Sequence, residues 1–217
     1  MKKALIFDLD GTLLDTLADL TDAVNFALDA HGMPRRTLEE VRRFLGNGAA
    51  QLIQKCVPAG SDYAPVLATY QPYYNAHCRE KTGPYAGIPQ ALARLQEKYA
   101  IAVVSNKPDQ PAKELVALYF PGYYALGQRE DIPRKPAPDM VAVAARELGV
   151  EQKNCIYIGD SEVDVLTAKN AGIPCVSVLW GFRDRQEIVD AGGKYFAETP
   201  EQMVEILNKM EEELLGQ

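Results

Sequence analysis

Asp8 and Asp10 stand two residues apart at the end of the apolar run Ala-Leu-Ile-Phe, and Gly11 follows them. In an extended backbone residues i and i+2 project to the same side. The spacing therefore predicts two carboxylates leaving one strand end together. Two such charges persist side by side when a cation sits between them or when one keeps its proton. The plain alternative is a polar strand end with two solvated acids. Gly11 predicts a break in the strand and a close approach of backbone to ligand.

Three later segments add chemistry of a matching kind. Ser105-Asn106-Lys107 follows the apolar run 101–104, and Gly159-Asp160-Ser161 follows the run 155–158, with Asp164 just beyond. Between them, Arg134-Lys135-Pro136-Ala137-Pro138-Asp139 is a stiff loop presenting a lysine, because two prolines restrict the chain around it. Each segment has an ordinary reading: a turn hydroxyl, a solvated ammonium, acids at a helix N-terminus. Together they place a hydroxyl, an ammonium and four carboxylates at one edge, provided the strands are neighbours.

The elements that must bring them together are readable from periodicity. Short apolar runs at 4–7, 101–104, 155–158 and 175–179, with a weaker one at 123–126, alternate with helical patterns at 89–99, 111–118, 138–148, 163–171 and about 200–214. That alternation predicts a parallel sheet with helices on both faces, which binds ligands beyond the carboxyl ends of its strands. Residues 15–80 break the alternation and show helical patterns only. Leu17, Leu20, Val24, Ala27 and Leu28 form one stripe, begun by Asp15 or Thr16 and ended by Gly32. Thr37 and Glu40 have capping-box spacing, with Leu38, Val41, Phe44 and Leu45 on one face. The fold class is α/β: a doubly wound, Rossmann-like parallel sheet over residues 1–14 and 82–217, with a small α-helical domain inserted over 15–81.

Bulk properties narrow the function classes. The chain has 217 residues, 47% hydrophobic and 24% charged, enough to bury a core without staples. A net charge of −7 argues against a nucleic-acid partner. No apolar run approaches twenty residues and no secretion signal is visible, so the expectation is a cytoplasmic protein without membrane association. The scattered cysteines Cys56, Cys78, Cys155 and Cys175 read as reduced, buried small hydrophobes. Oligomeric state has no signature in the sequence.

Asp8-Leu9-Asp10-Gly11-Thr12, Ser105-Asn106-Lys107, Lys135-Pro136-x-Pro138 and Gly159-Asp160-x-x-x-Asp164 resemble, in order, the four motifs of the haloacid dehalogenase superfamily of phosphohydrolases. With Gly46-Asn47-Gly48 and Trp180-Gly181-Phe182, the chain looks most like the phosphoglycolate phosphatase branch. The resemblance implies that the helical insert is a cap and the substrate a small phosphorylated metabolite. It implies Asp8 as nucleophile, forming an aspartyl-phosphate, and Asp10 as acid and base. Asp8, the Asp10 carbonyl and Asp160 would hold Mg2+, with Asp164 behind them orienting a metal-bound water or Lys135. Ser105, Asn106 and Lys135 would bind the phosphoryl group. The electrostatics agree: unit charges roughly 4 Å apart repel by about 4 kcal/mol at an effective dielectric near 20, so carboxylate attack on a phosphate dianion needs cations. An acid at position 10 argues for ester chemistry over dehalogenation, since halide leaves without a proton. Pyrophosphatase, sugar-phosphate phosphatase, phosphomutase and a silent regulatory module are the alternatives.

For the leaving group, Arg43 and the Gly46-Asn47-Gly48 loop are the candidate specificity contacts, the alternative being a helix end and the start of the next helix. Tyr70, Tyr73 and Tyr74 read as a helix-packing face, the alternative being the lining of a cap pocket, His31 and His77 as surface or packing positions, Trp180 and Phe182 as packing or a loop near the site entrance. Glu211-Glu212-Glu213 reads as a solvated helix face.

Overall fold

The structure is a computed structural model that describes residues 2–215, with side chains described to residue 210. The acidic stretch Glu211-Glu212-Glu213 therefore lies outside the described side chains. Among the described residues no helix is long and apolar enough to cross a membrane.

In chain order, β1 (Ala4–Phe7) is followed by the two-residue β2 (Leu14–Asp15) and four helices, α1 (Leu17–Ala30), α2 (Leu38–Phe44), α3 (Ala49–Cys56) and α4 (Ala64–His77). The chain returns through β3 (Gly83–Pro84), which pairs antiparallel with β2. Then come α5 (Ile88–Leu95), β4 (Ala100–Pro108), α6 (Asp109–Tyr119), β5 (Tyr124–Gln128), α7 (Asp139–Glu147) and β6 (Cys155–Gly159). The chain continues through α8 (Glu162–Ala171), β7 (Cys175–Val178), α9 (Arg185–Asp190), β8 (Tyr195–Ala197) and α10 (Pro200–Leu215).

The main sheet has the order β5-β4-β1-β6-β7-β8 and is parallel throughout. β1 sits inside it, and all four of its residues are fully buried because neither face meets water. Alternation sorts the side chains. Leu5, Phe7, Ile101, Val103, Ile156 and Ile158 pack into one cluster with α5, α6 and α10. Ala4, Ile6, Ala102, Val104 and Tyr157 pack on the other face with α7 and α8. Apolar side chains buried on both faces of the central strands account for the doubly wound form without disulfides, and the four cysteines are free.

The helical patterns at 15–80 hold, with corrections. The α1 stripe is buried as expected, and its first N–H is met by Asp15 Oδ1 at 3.3 Å rather than by Thr16. The Thr37–Glu40 capping box is present, but Leu38 is 49% exposed instead of joining the buried face of α2. β2, β3, α9 and β8 were not legible as elements: each is six residues or shorter, too brief for a period to show.

β4 runs four residues further than its apolar run suggests. Val104 pairs with Leu126 and Pro108 with Gln128, so four steps on β4 oppose two on β5. This bulge lifts Ser105, Asn106 and Lys107 out of the regular ladder at the carboxyl edge of the sheet.

Candidate active site

Asp8 follows Phe7 out of β1, and its N–H donates to Ile158 O of β6 at 2.8 Å. That bond keeps the chain in sheet register for one residue more. The backbone then bends at Leu9, and Gly11 adopts φ +86°. Asp8 and Asp10 therefore do not stay on one extended edge. Asp8 meets Lys135, whereas Asp10 meets Lys107. Both still line one cavity, together with Ser105, Asn106, Lys107, Lys135 and Asp160.

Lys135 is the centre of the charged cluster. Its side chain is 2% exposed, and Nζ lies 2.8 Å from Asp8 Oδ1, 2.8 Å from Asp164 Oδ1 and 3.0 Å from Tyr157 Oη. Burial opposes the ammonium, but Asp164 and Asp8 outweigh it and hold Lys135 well above the usual lysine range. Asp164 is doubly engaged. Its Oδ2 accepts from Ser161 N–H at 3.1 Å and Ser161 Oγ at 2.6 Å, completing the capping box of α8, while Oδ1 faces Lys135. The helix-start reading of Asp164 and its role beside Lys135 are both realised by one carboxylate.

Asp160 is held from two sides. Thr12 Oγ1 donates to its Oδ1 at 3.1 Å, and Phe182 N–H donates to its Oδ2 at 2.7 Å. Glycines make room for it: a Cβ at Gly11 would sit 2.4 Å from Asp160 Oδ2, and one at Gly181 would sit 2.3 Å from Asp160 Cβ. Trp180 fixes the same turn by donating from Nε1 to Thr12 O at 3.0 Å.

Asp8, Asp160 and Asp164 each offer an oxygen within 4.8 Å of the others. Three buried carboxylates face one ammonium, which leaves two negative charges unbalanced. Burial, with Asp164 and Asp10 adding to it against Lys135, pushes the Asp8 carboxyl up to about 7. Burial, then Asp164 and Asp8, also raises Asp160 well above the carboxylate range. A hard divalent cation is the group that such an oxygen set and charge deficit fit, and Mg2+ takes carboxylate oxygens together with a substrate phosphate.

Ser105 is buried, and its Oγ accepts the Lys107 N–H at 3.2 Å, so the turn-hydroxyl reading holds at a position that also lines the cavity. The Asn106 side chain is committed elsewhere. Nδ2 donates to Lys135 O at 3.0 Å and to Gly46 O at 3.1 Å, and Oδ1 accepts Lys135 N–H at 2.9 Å. Any contact of Asn106 with a phosphoryl group is thereby left to its backbone.

Among the leaving-group candidates, Gly46 and Gly48 line the cavity, with φ of +106° and +81°. Asn47 is not brought to it; its carbonyl accepts from Arg134 Nη1 at 3.2 Å. Arg43 is not brought there either. Its side chain is 74% exposed and pairs with Glu39 one turn earlier, an i,i+4 spacing visible in the sequence. The buried arginine at the cavity is Arg183, which pairs with Glu162 at 2.9 Å and donates to Arg42 O and Leu45 O. Its position just after Trp180-Gly181-Phe182 was the one available signal.

The tyrosines divide. Tyr70 and Tyr74 are buried and line the cavity, as the pocket alternative has it, whereas Tyr73 packs, stacked between Phe26 and His77. His31 is exposed and bonds Thr69, and His77 pairs with Glu80, so both histidines stay outside the site. Phe182 lines the cavity as well as packing.

The sheet edge and its neighbours define an α/β protein with acids and a lysine gathered at the carboxyl ends of its strands, beside an inserted set of helices. The chain belongs to the haloacid dehalogenase-like hydrolases, whose family model matches residues 5–178. It is 37% identical over 194 residues to phosphoglycolate phosphatase of Rhodobacter capsulatus, covering 84% of this chain and 87% of that one. It is 33% identical over 191 residues to phosphoglycolate phosphatase of Mesorhizobium japonicum, covering 83% and 84%. A crystal structure from Lactobacillus delbrueckii subsp. bulgaricus, of a protein assigned as a phosphoglycolate phosphatase, superposes with a TM-score of 0.89 at 37% identity, covering 95% of this chain and 98% of that one.

Proposed function

We propose that the protein is a Mg2+-dependent phosphatase of small phosphate monoesters that works through an aspartyl-phosphate, with 2-phosphoglycolate as its substrate. The observation that carries this reading is the convergence of Asp8, Lys135, Asp160 and Asp164 in one buried cluster at the cavity. The names of the relatives at 33% and 37% identity support the substrate.

Asp8 attacks phosphorus, and the bond from phosphorus to the ester oxygen breaks. The Asp10 carboxyl gives its proton to that leaving oxygen. Water then attacks the phosphorus of the aspartyl-phosphate, Asp10 takes a proton from it, and Asp8 and inorganic phosphate are released. Lys135 and the Ser105 hydroxyl hold phosphoryl oxygens as charge shifts among them. Asp8, Asp160 and the Asp10 carbonyl would hold Mg2+, which would supply positive charge to offset that of the phosphoryl group. Asp164 keeps Lys135 charged and aimed.

The helices of residues 15–81 act in this reading as a cap that excludes water and selects the leaving group. Gly46, Gly48 and the start of α3 offer backbone N–H groups to a small carboxylate on the substrate. The test is purified protein assayed with 2-phosphoglycolate, sugar phosphates, nucleotides and pyrophosphate, with Mg2+ and with EDTA. Selective Mg2+-dependent release of phosphate from 2-phosphoglycolate is expected. Equal rates across the panel would overturn the substrate, and no phosphate release from any member would overturn the phosphatase.

A further inference from the structure

Lys107 takes no part in the chemistry above, yet it is a buried cation in contact with its acid. Its side chain is 2% exposed, and Nζ donates to Asp10 Oδ1 at 2.9 Å and to Asp10 Oδ2 at 3.0 Å. The third neighbour is Tyr74 Oη at 2.5 Å, and Nζ lies 4.6 Å from the centre of that ring. An ammonium has three donors. All three are spent on Asp10 and Tyr74, so none is left over for a substrate anion.

The two partners come from different parts of the chain. Asp10 and Lys107 stand at the sheet edge, beyond β1 and in the bulge of β4. Tyr74 is on α4, within the helices inserted between β2 and β3. It is 2% exposed, and its ring lies parallel to Tyr70 at 5.5 Å between centroids, which fixes its direction. A hydroxyl on the insert thus completes the coordination of a lysine that grips both oxygens of a carboxylate on the sheet.

We propose that Lys107 and Tyr74 form a positioning pair that aims the Asp10 carboxyl at the leaving oxygen only while the inserted helices are seated on the sheet edge. The proposal rests on the reading of Asp10 as proton donor. It deepens that reading by making proton delivery depend on a contact between the two parts. Without Tyr74 in place, Lys107 keeps its pairing with Asp10 but loses the point that sets its own direction.

Leaving-group dependence separates positioning of a proton donor from a structural role. Ethyl phosphate and acetyl phosphate have similar size and no remote carboxylate, but ethoxide needs a proton to depart and acetate does not. The readout is the ratio of kcat/KM for ethyl phosphate to that for acetyl phosphate, since kcat/KM covers the steps through cleavage of the ester bond. Asp10→Asn sets the scale, with the ratio falling about a hundredfold, the size of a typical general-acid contribution. Lys107→Met is expected to lower the same ratio by about tenfold or more, and Tyr74→Phe by a few-fold. In the Asp10→Asn background neither change should alter the ratio further, as expected for residues acting through one group.

An unchanged ratio in Lys107→Met, with both esters slowed equally, would overturn the proposal, as would a rise in KM confined to 2-phosphoglycolate, which would make Lys107 an anion receptor. Tyr74→Phe removes one oxygen and carries the test if Lys107→Met does not fold; an unchanged ratio there overturns the coupling to the inserted helices. Wild-type protein inactive on every ester would instead remove the phosphatase reading on which the proposal stands.

Discussion

Asn106 grips the main chain of Lys135 with both ends of its side-chain amide, Nδ2 donating to the carbonyl at 3.0 Å and Oδ1 accepting the N–H at 2.9 Å. The clamp joins the bulge of β4 to the loop that carries the lysine. Asn106→Ala removes both bonds, together with the Nδ2 bond to Gly46 O, and leaves the two Lys135 main-chain groups unpaired, a cost of about 1–3 kcal/mol each. With Lys135 in its proposed phosphoryl-binding role, activity should fall by roughly ten- to a hundredfold, because a lysine that drifts by about 1 Å would no longer meet the phosphoryl oxygens. Thermal melts and steady-state kinetics of the variant check both effects. A normal rate with lowered stability would separate the clamp from catalysis.

Asp8→Asn keeps the shape of the side chain and removes its nucleophilic charge. Turnover should be lost and no phosphoprotein should form, with circular dichroism unchanged. The assay is phosphate release alongside mass spectrometry of acid-quenched protein. Substantial residual activity in a clean preparation would assign the nucleophile elsewhere.

Stability should depend on pH and Mg2+ together. Burial raises the Asp8 carboxyl from an ordinary 3.8 to about 7. In metal-free protein the folded state therefore keeps a proton that the unfolded chain releases, so this group's contribution is fully present below about pH 4 and is lost as pH rises through about 7. Asp160, raised mainly by burial, acts in the same direction. Under the proposed function, Mg2+ would bind the ionised carboxylates and offset the loss. Added Mg2+ should raise the melting temperature by about 5 °C or more at pH 8 and hardly at all at pH 5, where protons compete for the same oxygens. Equal shifts at both pH values would contradict the carboxylate site.

The strand-end acids were legible because they follow apolar runs and parallel strands put such ends on one edge, and the lysine loop was legible from its two prolines. Asp164 was legible in both its uses, since position N3 of a helix and the side facing Lys135 coincide. Three features were not. Lys107 looks like any solvated lysine until the bulge of β4 turns it toward Asp10. Tyr74 differs from Tyr73 only by where its position on α4 points, and α4 has no strong apolar stripe to reveal which side faces the sheet. Arg43 is the arginine near the glycine loop in sequence, while the tertiary contact belongs to Arg183, some 140 residues away in sequence.

Arg183 and Arg43 therefore provide a paired prediction on the inserted helices. The Arg183 guanidinium is 5% exposed, balanced by Glu162, and bonded to the carbonyls of Arg42 and Leu45 at the end of α2. Those carbonyls lie at the C-terminal end of a helix, where a cation is favoured. Arg183→Ala leaves the half-buried Glu162 carboxylate and two carbonyls without their donor, and should cost about 1–3 kcal/mol. Gly46 follows directly after Leu45 and lines the cavity, so the same change should raise KM for small phosphate esters. Arg43→Ala removes only an exposed pair with Glu39, worth about 0.3–0.5 kcal/mol, and should leave KM within about twofold. Thermal melts and KM values of the two variants check the contrast. A large KM effect from Arg43→Ala would mean that α2 turns this residue inward when substrate binds.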